Sequence, residues 1–278
     1  MNKESTFDRV VNVVMPLIIY LFVNLFAQAG FTLTAMFIQI KSASKDGGSY
    51  RTSISFVENM EKLVSSNTLT VTFITVLCAL PIMFFMFYKQ QNKILLKVEW
   101  KKMYIPLIMG VFASAGISKL VTLLPIDGIL GNYSETSANV MSSNIFLQII
   151  TLIIIGPIME ELLFRGLIYN RLKSFNEVTI AAYISALIFA VYHFNLVQGI
   201  YTFILGILLV YVYEHYKSVV APMILHIAAN GIAVFINYFP ISEIIAKHWY
   251  LKVPVMLVEI GILVVTVYLV LFRKKTKE

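Results

Sequence analysis

Ionisable side chains inside long hydrophobic runs are the residues of this chain best placed to do chemistry. An ionisable group in the hydrocarbon of a membrane costs at least about 2.5–3.5 kcal/mol, so each one needs a functional or structural reason. The seven such residues are Lys119, Glu160, Glu161, Arg165, His193, His226 and Glu259. Five of them fall in three neighbouring runs of the second half of the chain. That clustering predicts a functional site built from those three runs.

The adjacent carboxylates of Glu160 and Glu161 differ in their access to a cation. Glu161 and Arg165 are four residues apart and share a helix face, so we expect an ion pair between them. Glu160 lies about 100° further around the helix, away from Arg165, and two carboxylates repel each other where the dielectric constant is low. Glu160 is therefore the candidate general base and Glu161 its positioned neighbour. Pro157 is expected to kink the helix so that this face opens to a cavity. The alternative is a helix-end salt bridge with a spare acid.

Two histidines and a carboxamide complete the candidate set. His193 ends the fifth hydrophobic run, and taken alone it is typical of an interfacial residue. His226 and Asn230 are four residues apart in the seventh run and share a helix face. Asn230 could fix the tautomer of His226, or both could donate to a developing oxyanion. A packing role for His226 is the alternative.

These residue types suit two related hydrolytic mechanisms, and the sequence leaves both open. In the first, Glu160 takes a proton from water that His193 orients, while His226 and Asn230 stabilise a tetrahedral intermediate. In the second, a Zn²⁺ ion bound by His193, His226 and Glu160 leaves an open position for the water. The sequence contains no His-Glu-x-x-His, Gly-x-Ser-Gly or Gly-x-Gly-Asp signature of other membrane proteases.

The elements that must position these residues are membrane helices. With 59% hydrophobic and only 13% charged side chains in 278 residues, the chain cannot cover a water-soluble globule. Crossing a bilayer takes about 20 apolar residues, and lipid-exposed backbone must be helical. We predict an all-α bundle of eight spans in one membrane domain, 1–278, with a motif-bearing core at 143–238. The spans are near 10–38, 67–88, 103–124, 143–168, 178–193, 196–214, 219–238 and 252–272.

Charge and the remaining polar residues define the topology. The connections on the side of the termini carry 15 Lys and Arg residues against 6 on the other side, so we predict that both termini are cytoplasmic. This distribution accounts for the net charge of +7 without a nucleic-acid partner. The segment with Ile54, Val57, Met60, Leu63 and Val64 at helical spacing predicts an interfacial amphipathic helix. No spacing argument pairs Lys119 with Glu259, although both are isolated in their spans.

Two further interpretations concern the first two spans. Ala27-Gln28-Ala29 resembles a signal-peptide cleavage site, but the apolar run continues through Ile38, so we predict an uncleaved span. Cys78 is the single cysteine and excludes an intrachain disulfide. It is expected to be a small buried apolar residue.

Three short motifs, in order and on separate spans, resemble those of the CPBP family, the CAAX protease and bacteriocin-processing membrane proteins. They are Glu-Glu-x-x-x-Arg at Glu160, Glu161 and Arg165, Phe-x-x-x-His at Phe189 and His193, and His-x-x-x-Asn at His226 and Asn230. The resemblance implies an eight-helix bundle whose motif residues converge on a cavity in the membrane. It also implies peptide-bond hydrolysis, with Glu160 activating water, His193 assisting, and His226 and Asn230 forming the oxyanion site.

The resemblance leaves the metal and the substrate open. Some members of the family trim prenylated proteins, while others process peptides or confer immunity to them. The Lys- and Ile-rich composition is typical of a low-GC Gram-positive bacterium, which favours a membrane-associated peptide or protein substrate. A non-catalytic bacteriocin-immunity or binding protein and a proton-coupled transporter are the alternatives. The oligomeric state is also open. In the predicted topology His193 lies near the outer face while Glu160 and His226 lie nearer the cytoplasm, so we expect the fifth helix to start deep in the membrane.

Overall fold

The computed structural model describes residues 5–45, 53–90, 98–122, 139–239 and 247–272, which are almost entirely helical and contain no strand. Helices α1 to α9 follow one another along these residues. They are α1 Thr6–Lys45, α2 Ser53–Ser66, α3 Thr68–Gln90, α4 Tyr104–Thr122, α5 Ile145–Lys173, α6 Val178–Tyr192, α7 Leu196–Tyr216, α8 Val220–Tyr238 and α9 Trp249–Phe272.

The predicted polytopic all-α fold is confirmed within the described residues. Helices α1, α3, α4, α5, α7 and α9 are long and apolar enough to cross a membrane, while α6 and α8 are apolar but shorter. Together they account for the eight predicted spans. Helix α6 has 15 residues and is only about 22 Å long, less than the roughly 30 Å of hydrocarbon. The fifth span is therefore short, as expected, and it ends at the residue before His193.

Helices α1 and α5 are longer than the hydrophobic runs that predict them. Helix α1 runs without a break across Ala27–Ala29 and ends at Lys45. Helix α5 continues past the predicted end at 168 to Lys173. In both cases polar residues extend the helix beyond the apolar run, because hydropathy marks only the part of a helix that suits the bilayer.

Helix α5, which carries Glu160 and Glu161, is not a regular α-helix. Two wide π-type segments flank a short α-helical one, and the three are Ile149–Ile155, Gly156–Glu161 and Leu162–Tyr169. In the first wide segment the Gly156 N–H donates to the carbonyl of Thr151, five residues earlier. Pro157 has no N–H to donate, so the break that the sequence predicts at this proline is accompanied by a wide turn just before it. Such turns are frequent at functional sites.

Side chains from within and beyond α5 bond to the carbonyls of its second wide segment. The Asn170 side-chain amide donates to the carbonyls of Arg165 and Gly166, each at 3.0 Å. The Ser185 hydroxyl, on α6, donates to the carbonyl of Phe164 at 3.3 Å. These bonds satisfy backbone acceptors in a region where water is scarce. The irregular segment is therefore held by specific polar contacts.

Helix α4 crosses α8 in close contact at Gly110. A Cβ atom at this position would lie 2.1 Å from the carbonyl oxygen of Leu225 and 2.9 Å from the Cβ of Ala228. The first of these is backbone and cannot rotate away. Residues 225 and 228 lie on either side of His226, so the crossing also fixes where that histidine sits.

We therefore expect Gly110→Ala to push α4 off α8 and to lower the free energy of unfolding by about 1–3 kcal/mol or more, as overpacking does. Thermal unfolding of the detergent-solubilised protein measures the change. Gly116→Ala is the matched control on the same helix, because its Cβ would make only an ordinary contact, 3.7 Å from Ile260 Cγ1. Equal melting temperatures for the two variants would contradict the assignment of Gly110 as a crossing point.

The isolated polar residues of α3, α4 and α9 have different environments. Lys119 on α4 and Glu259 on α9 form an ion pair, with Nζ 2.5 Å from Oε1, so the two isolated charges neutralise each other. The prediction that Cys78 is buried is wrong, since its side chain is exposed on α3. The reason is that the outer surface of a membrane helix is as apolar as its core, so hydrophobic neighbours do not predict burial within the protein.

The predicted amphipathic segment is helix α2. Met60 is buried and Leu63 and Val64 are half-buried, whereas Val57 is exposed. The side chain of Ile54 lies outside the described residues. The apolar stripe therefore turns toward the rest of the chain at its C-terminal half.

Candidate active site

Glu160, His193, His226 and Asn230 line one cavity of about 460 Å³. They come from α5, from the α6–α7 connection and from α8. The structure thus brings together four side chains that are up to 70 residues apart in the sequence. His193 therefore reaches the same cavity as Glu160 and His226, although the predicted topology placed it nearer the outer face of the membrane.

The two carboxylates have different environments. Glu160 faces the cavity, and its Oε2 lies 3.6 Å from His226 Nε2. Glu161 is completely buried and accepts a hydrogen bond from Arg165 Nη1 at 3.0 Å. The predicted Glu161–Arg165 ion pair is confirmed. Glu160 is therefore the carboxylate that a molecule in the cavity would meet.

Arg165 joins three helices beneath the cavity. Besides its bond to Glu161, its Nη2 donates to the carbonyl of Gly206 on α7 at 3.1 Å, and its guanidinium lies over the ring of Phe189 on α6 at 4.6 Å. Such cation–π contacts are strongest where both groups are desolvated, and Arg165 is completely buried. One buried cation thus connects the carboxylate segment of α5 to α6 and α7.

His226 lies between the two carboxylates and is oriented by Glu161. Its Nδ1 is 2.8 Å from Glu161 Oε1, and a carboxylate only accepts, so Nδ1 carries the proton. Nε2 is then the nitrogen that faces Glu160 and the cavity. A buried acid behind an imidazole fixes its ring orientation and tautomer.

Asn230 does not take the tautomer-fixing role that the sequence allowed for it. Its Nδ2 donates to the carbonyl of Leu152, in the first wide segment of α5, at 2.8 Å. The contact that was expected of Asn230 is made by Glu161. Sequence spacing could not reveal this, because Glu161 and His226 are 65 residues apart. The second N–H of the Asn230 amide is left for other partners.

His193 is held by its own helix. Its Nδ1 lies 2.8 Å from the carbonyl of Phe189, so Nδ1–H donates and Nε2 is the nitrogen free to act in the cavity. The Phe189 ring packs edge-on against both His193 and His226, with centroid distances of 4.9 and 5.8 Å. Phe189, which the motif includes as a supporting residue, thus separates the two imidazoles and also carries the Arg165 guanidinium.

Another part of the cavity lining comes from helices that carry no motif residue. The lining residues contributed by α1 and α3 include Tyr20, Asn24, Gln28, Thr68 and Thr72. A signal for two of them was present in the sequence: Asn24 and Gln28 are four residues apart on a long apolar helix. Tyr20 reaches the motif residues through Tyr192, with ring centroids 5.3 Å apart.

A zinc site on His193, His226 and Glu160 is the expectation that the geometry supports least. Among the described residues, no three His, Cys, Asp or Glu side chains lie close enough together to hold a metal ion. The Nδ1 atoms of His226 and His193 are bonded to Glu161 and to the Phe189 carbonyl, which is also common for metal-ligating histidines and leaves each Nε2 as a potential ligand. The side chains as they stand do not form a three-ligand set for zinc.

Comparisons with known proteins agree with the motifs. Residues 142–232 match the family model of type II CAAX prenyl endopeptidases, Rce1-like. YdiL of Bacillus subtilis strain 168, described as a membrane peptidase, is 27% identical over 121 residues, which are 43% of this chain and 50% of YdiL. The membrane-embedded CAAX protease MroQ of Staphylococcus aureus strain USA300 is 31% identical over 158 residues, which are 52% of this chain and 64% of MroQ.

The matches cover only part of this chain and part of each relative. The chain spans between half and two thirds of the length of the two relatives, and no solved structure matches it significantly. The matched region contains all three motifs and the four motif side chains that line the cavity, whereas α1 to α4 lie outside the family model. In its motifs and over residues 142–232, the chain is thus similar to type II CAAX prenyl endopeptidases and to two bacterial membrane peptidases.

Proposed function

We propose that this protein is an intramembrane endopeptidase in which Glu160 activates the attacking water. The observation that carries the proposal is the convergence of Glu160, His193, His226 and Asn230 on one cavity, and the similarity of residues 142–232 to membrane endopeptidases supports it. A carboxylate with two imidazoles and a carboxamide provides a base, a water-orienting group and oxyanion donors.

The proposed reaction begins at Glu160. Its carboxylate takes a proton from a water molecule whose oxygen attacks the carbonyl carbon of the scissile bond, and His193 Nε2 orients that water. The proton then passes from Glu160 to the leaving nitrogen as the C–N bond breaks. Both products are released with atoms and charge balanced.

The negative oxygen of the tetrahedral intermediate needs donors on the other side of the carbon. The second N–H of Asn230 supplies one. His226 supplies another when its ring carries both protons, because Nδ1–H then donates to Glu161 and Nε2–H to the oxyanion. Glu161 accepts from Nδ1–H in that form as well, so it acts as a positioning residue for His226.

Comparison of the peptides in membranes from producing cells tests the proposal. Peptides released in the presence of the native protein should be missing in its absence and with His226→Ala. His215→Ala, on α7 and not among the cavity residues, is the matched control and should leave the peptides unchanged. Full biological activity of the His226→Ala protein with no change in any peptide would favour a binding or immunity protein instead.

Zinc bound by His193, His226 and Glu160 remains a proposal, and the side chains would have to move together to form it. Elemental analysis of purified, active protein tests it directly. Stoichiometric zinc whose removal abolishes activity would support the metalloprotease form; full activity after exhaustive removal of metal would contradict it.

We further propose a membrane-associated peptide or protein as the substrate and a cell membrane as the location, with both termini cytoplasmic. For the orientation, Cys78→Ser provides a background without cysteine. Lys277→Cys should react with a membrane-impermeant maleimide only after the cells are permeabilised. Ser142→Cys, on the opposite side, should react in intact cells. The reverse pattern would overturn the orientation.

A further inference from the structure

The part of the cavity wall that α1 and α3 contribute contains five polar side chains, although these two helices are otherwise apolar. We define this α1–α3 wall as Tyr20, Asn24 and Gln28 on α1 and Thr68 and Thr72 on α3, all of which line the cavity. The Gln28 side chain is exposed between exposed large hydrophobic residues, among them Leu25 and Phe26. An uncompensated carboxamide in an apolar environment costs free energy, so its presence calls for a partner.

Among the described residues, internal hydrogen bonds use only part of the donors and acceptors of this wall. Gln28 Nε2 donates to Asn24 Oδ1 at 2.7 Å, which leaves the Gln28 carbonyl oxygen and one N–H. The Thr72 hydroxyl donates to the carbonyl of Thr68 at 2.9 Å, which leaves lone pairs on its oxygen as acceptors. The wall therefore presents donors and acceptors to the cavity, all of them uncharged.

A buried hydroxyl on the motif side adds to this unused capacity. Thr151, on α5, lines the cavity and is 1% exposed. Its Oγ1 has no hydrogen-bond partner among the described residues. Buried polar atoms of native proteins are nearly always paired, so this hydroxyl indicates that the cavity accommodates a polar ligand.

The dimensions of the wall fit a short stretch of extended peptide. Eight residues separate Tyr20 from Gln28, or about 12 Å along the helix, which equals about three to four residues of extended chain. The Tyr20 end is next to the catalytic side, because Tyr20 packs on Tyr192 and Tyr192 packs on His193, with ring centroids 5.3 and 5.2 Å apart. Exposure rises from buried Tyr20 to exposed Gln28 and Thr68, so the wall leads from the site to the opening.

We infer that the α1–α3 wall binds the backbone of an unwound substrate segment beside the scissile bond; this rests on the proposed function. A membrane-embedded peptide must leave its helix before a base can reach a peptide bond, and every backbone N–H and C=O thus freed needs a new partner in the absence of water. Uncharged amide and hydroxyl groups are suited to pair with them. A lipid headgroup would require charge on this wall, and the five wall residues carry none.

The competing explanation is that these polar groups only join α1 to α3. The contact that does this is the bond from Asn24 Nδ2 to Thr75 Oγ1 at 3.4 Å, and Thr75 is completely buried and not among the lining residues. Thr75→Val therefore removes this hydrogen bond between the helices and leaves all five wall side chains in place. The double variant Gln28→Leu/Thr72→Val removes wall groups and leaves Thr75.

Binding of a generic peptide tests the inference without catalysis. The probe is a fluorescein-labelled decapeptide of alternating Leu and Ala, and the protein carries Glu160→Gln in nanodiscs of phosphatidylglycerol. We expect Gln28→Leu/Thr72→Val to raise the Kd about tenfold, because each net hydrogen bond contributes several-fold, and Thr75→Val to leave it unchanged. N-methylation of the peptide amides should weaken binding to the Glu160→Gln protein by a similar factor and add little to the wall variant.

The binding and cleavage results test the inference and the proposed function separately. Equal Kd values with and without the two wall substitutions, an equal loss with Thr75→Val, or no binding at all would overturn the inference. Cleavage of the same decapeptide by protein that retains Glu160 reports separately on the proposed function. Binding through the wall without cleavage would support the inference while counting against the endopeptidase.

Discussion

Glu160→Gln is expected to lower the rate of peptide cleavage by about 10²–10⁴-fold, the range that general acid–base catalysis contributes. The amide is nearly the same size as the carboxylate and keeps its place in the cavity, but it cannot take a proton from water. Turnover of an identified substrate by purified protein measures the effect. Thermal unfolding should stay within a few degrees of that of the native protein, because Glu160 faces the cavity and makes no ion pair with Arg165.

Glu177→Gln is the matched control for that loss. Glu177 precedes α6, is exposed, and is not among the residues that line the cavity. The same chemical change there should leave the rate unaltered. A loss below about tenfold in Glu160→Gln, with Glu177→Gln unchanged, would remove Glu160 from the role of general base.

Arg165→Met is expected to have the largest effect on folding. It leaves the buried Glu161 carboxylate without its cation, and breaking one partner of a buried ion pair typically costs about 3–5 kcal/mol. It also removes the hydrogen bond to the Gly206 carbonyl and the cation–π contact with Phe189. Unfolding of the detergent-solubilised protein by a denaturing detergent measures the change. Arg171→Met, on the same helix, is the control: Arg171 is half-buried and donates to Gln90 Oε1 and to the Asn12 carbonyl, and the loss of these bonds should cost less, about 0.5–1.5 kcal/mol for each bond.

The double variant Glu161→Leu/Arg165→Met separates stability from catalysis. Replacing both partners by apolar residues removes the uncompensated charge, so we expect much of the lost stability to return. Activity should not return, because His226 has lost the carboxylate that orients its ring. Recovery of full activity together with stability would show that Glu161 is only a structural partner of Arg165.

The fold and the identity of the site were largely readable from the sequence, for physical reasons. Membrane helices must satisfy their own backbone, so long apolar runs such as those of α3 and α7 predict helices directly. Ionisable residues in those runs are costly and therefore informative, which is why Glu160, His193 and His226 stood out. The Glu161–Arg165 pair followed from helical spacing alone.

What the sequence did not predict depends on contacts between helices. The orientation of His226 by Glu161 joins residues 65 positions apart, and no local pattern encodes such a contact. The bond of Asn230 to Leu152 depends on the irregular path of α5. Cys78 was misplaced because hydropathy does not distinguish lipid from protein interior. The sequence did not predict the α1–α3 wall, because uncharged side chains such as Asn24 and Gln28 cost less free energy in a membrane than charged ones and are therefore a weaker signal of function.

The wide segments of α5 also determine how the helix would respond to changes in length. Each residue of an α-helix turns the chain by about 100°. Removing one residue between Ile149 and Ile155 would therefore allow a regular helix. It would also rotate Glu160 and Glu161 relative to the residues that precede Ile149. A compensating insertion between Leu162 and Tyr169 would restore only the distal end. Insertions and deletions in the wide segments, rather than substitutions, would therefore rotate the two carboxylates about the helix axis while both ends of α5 keep their orientation.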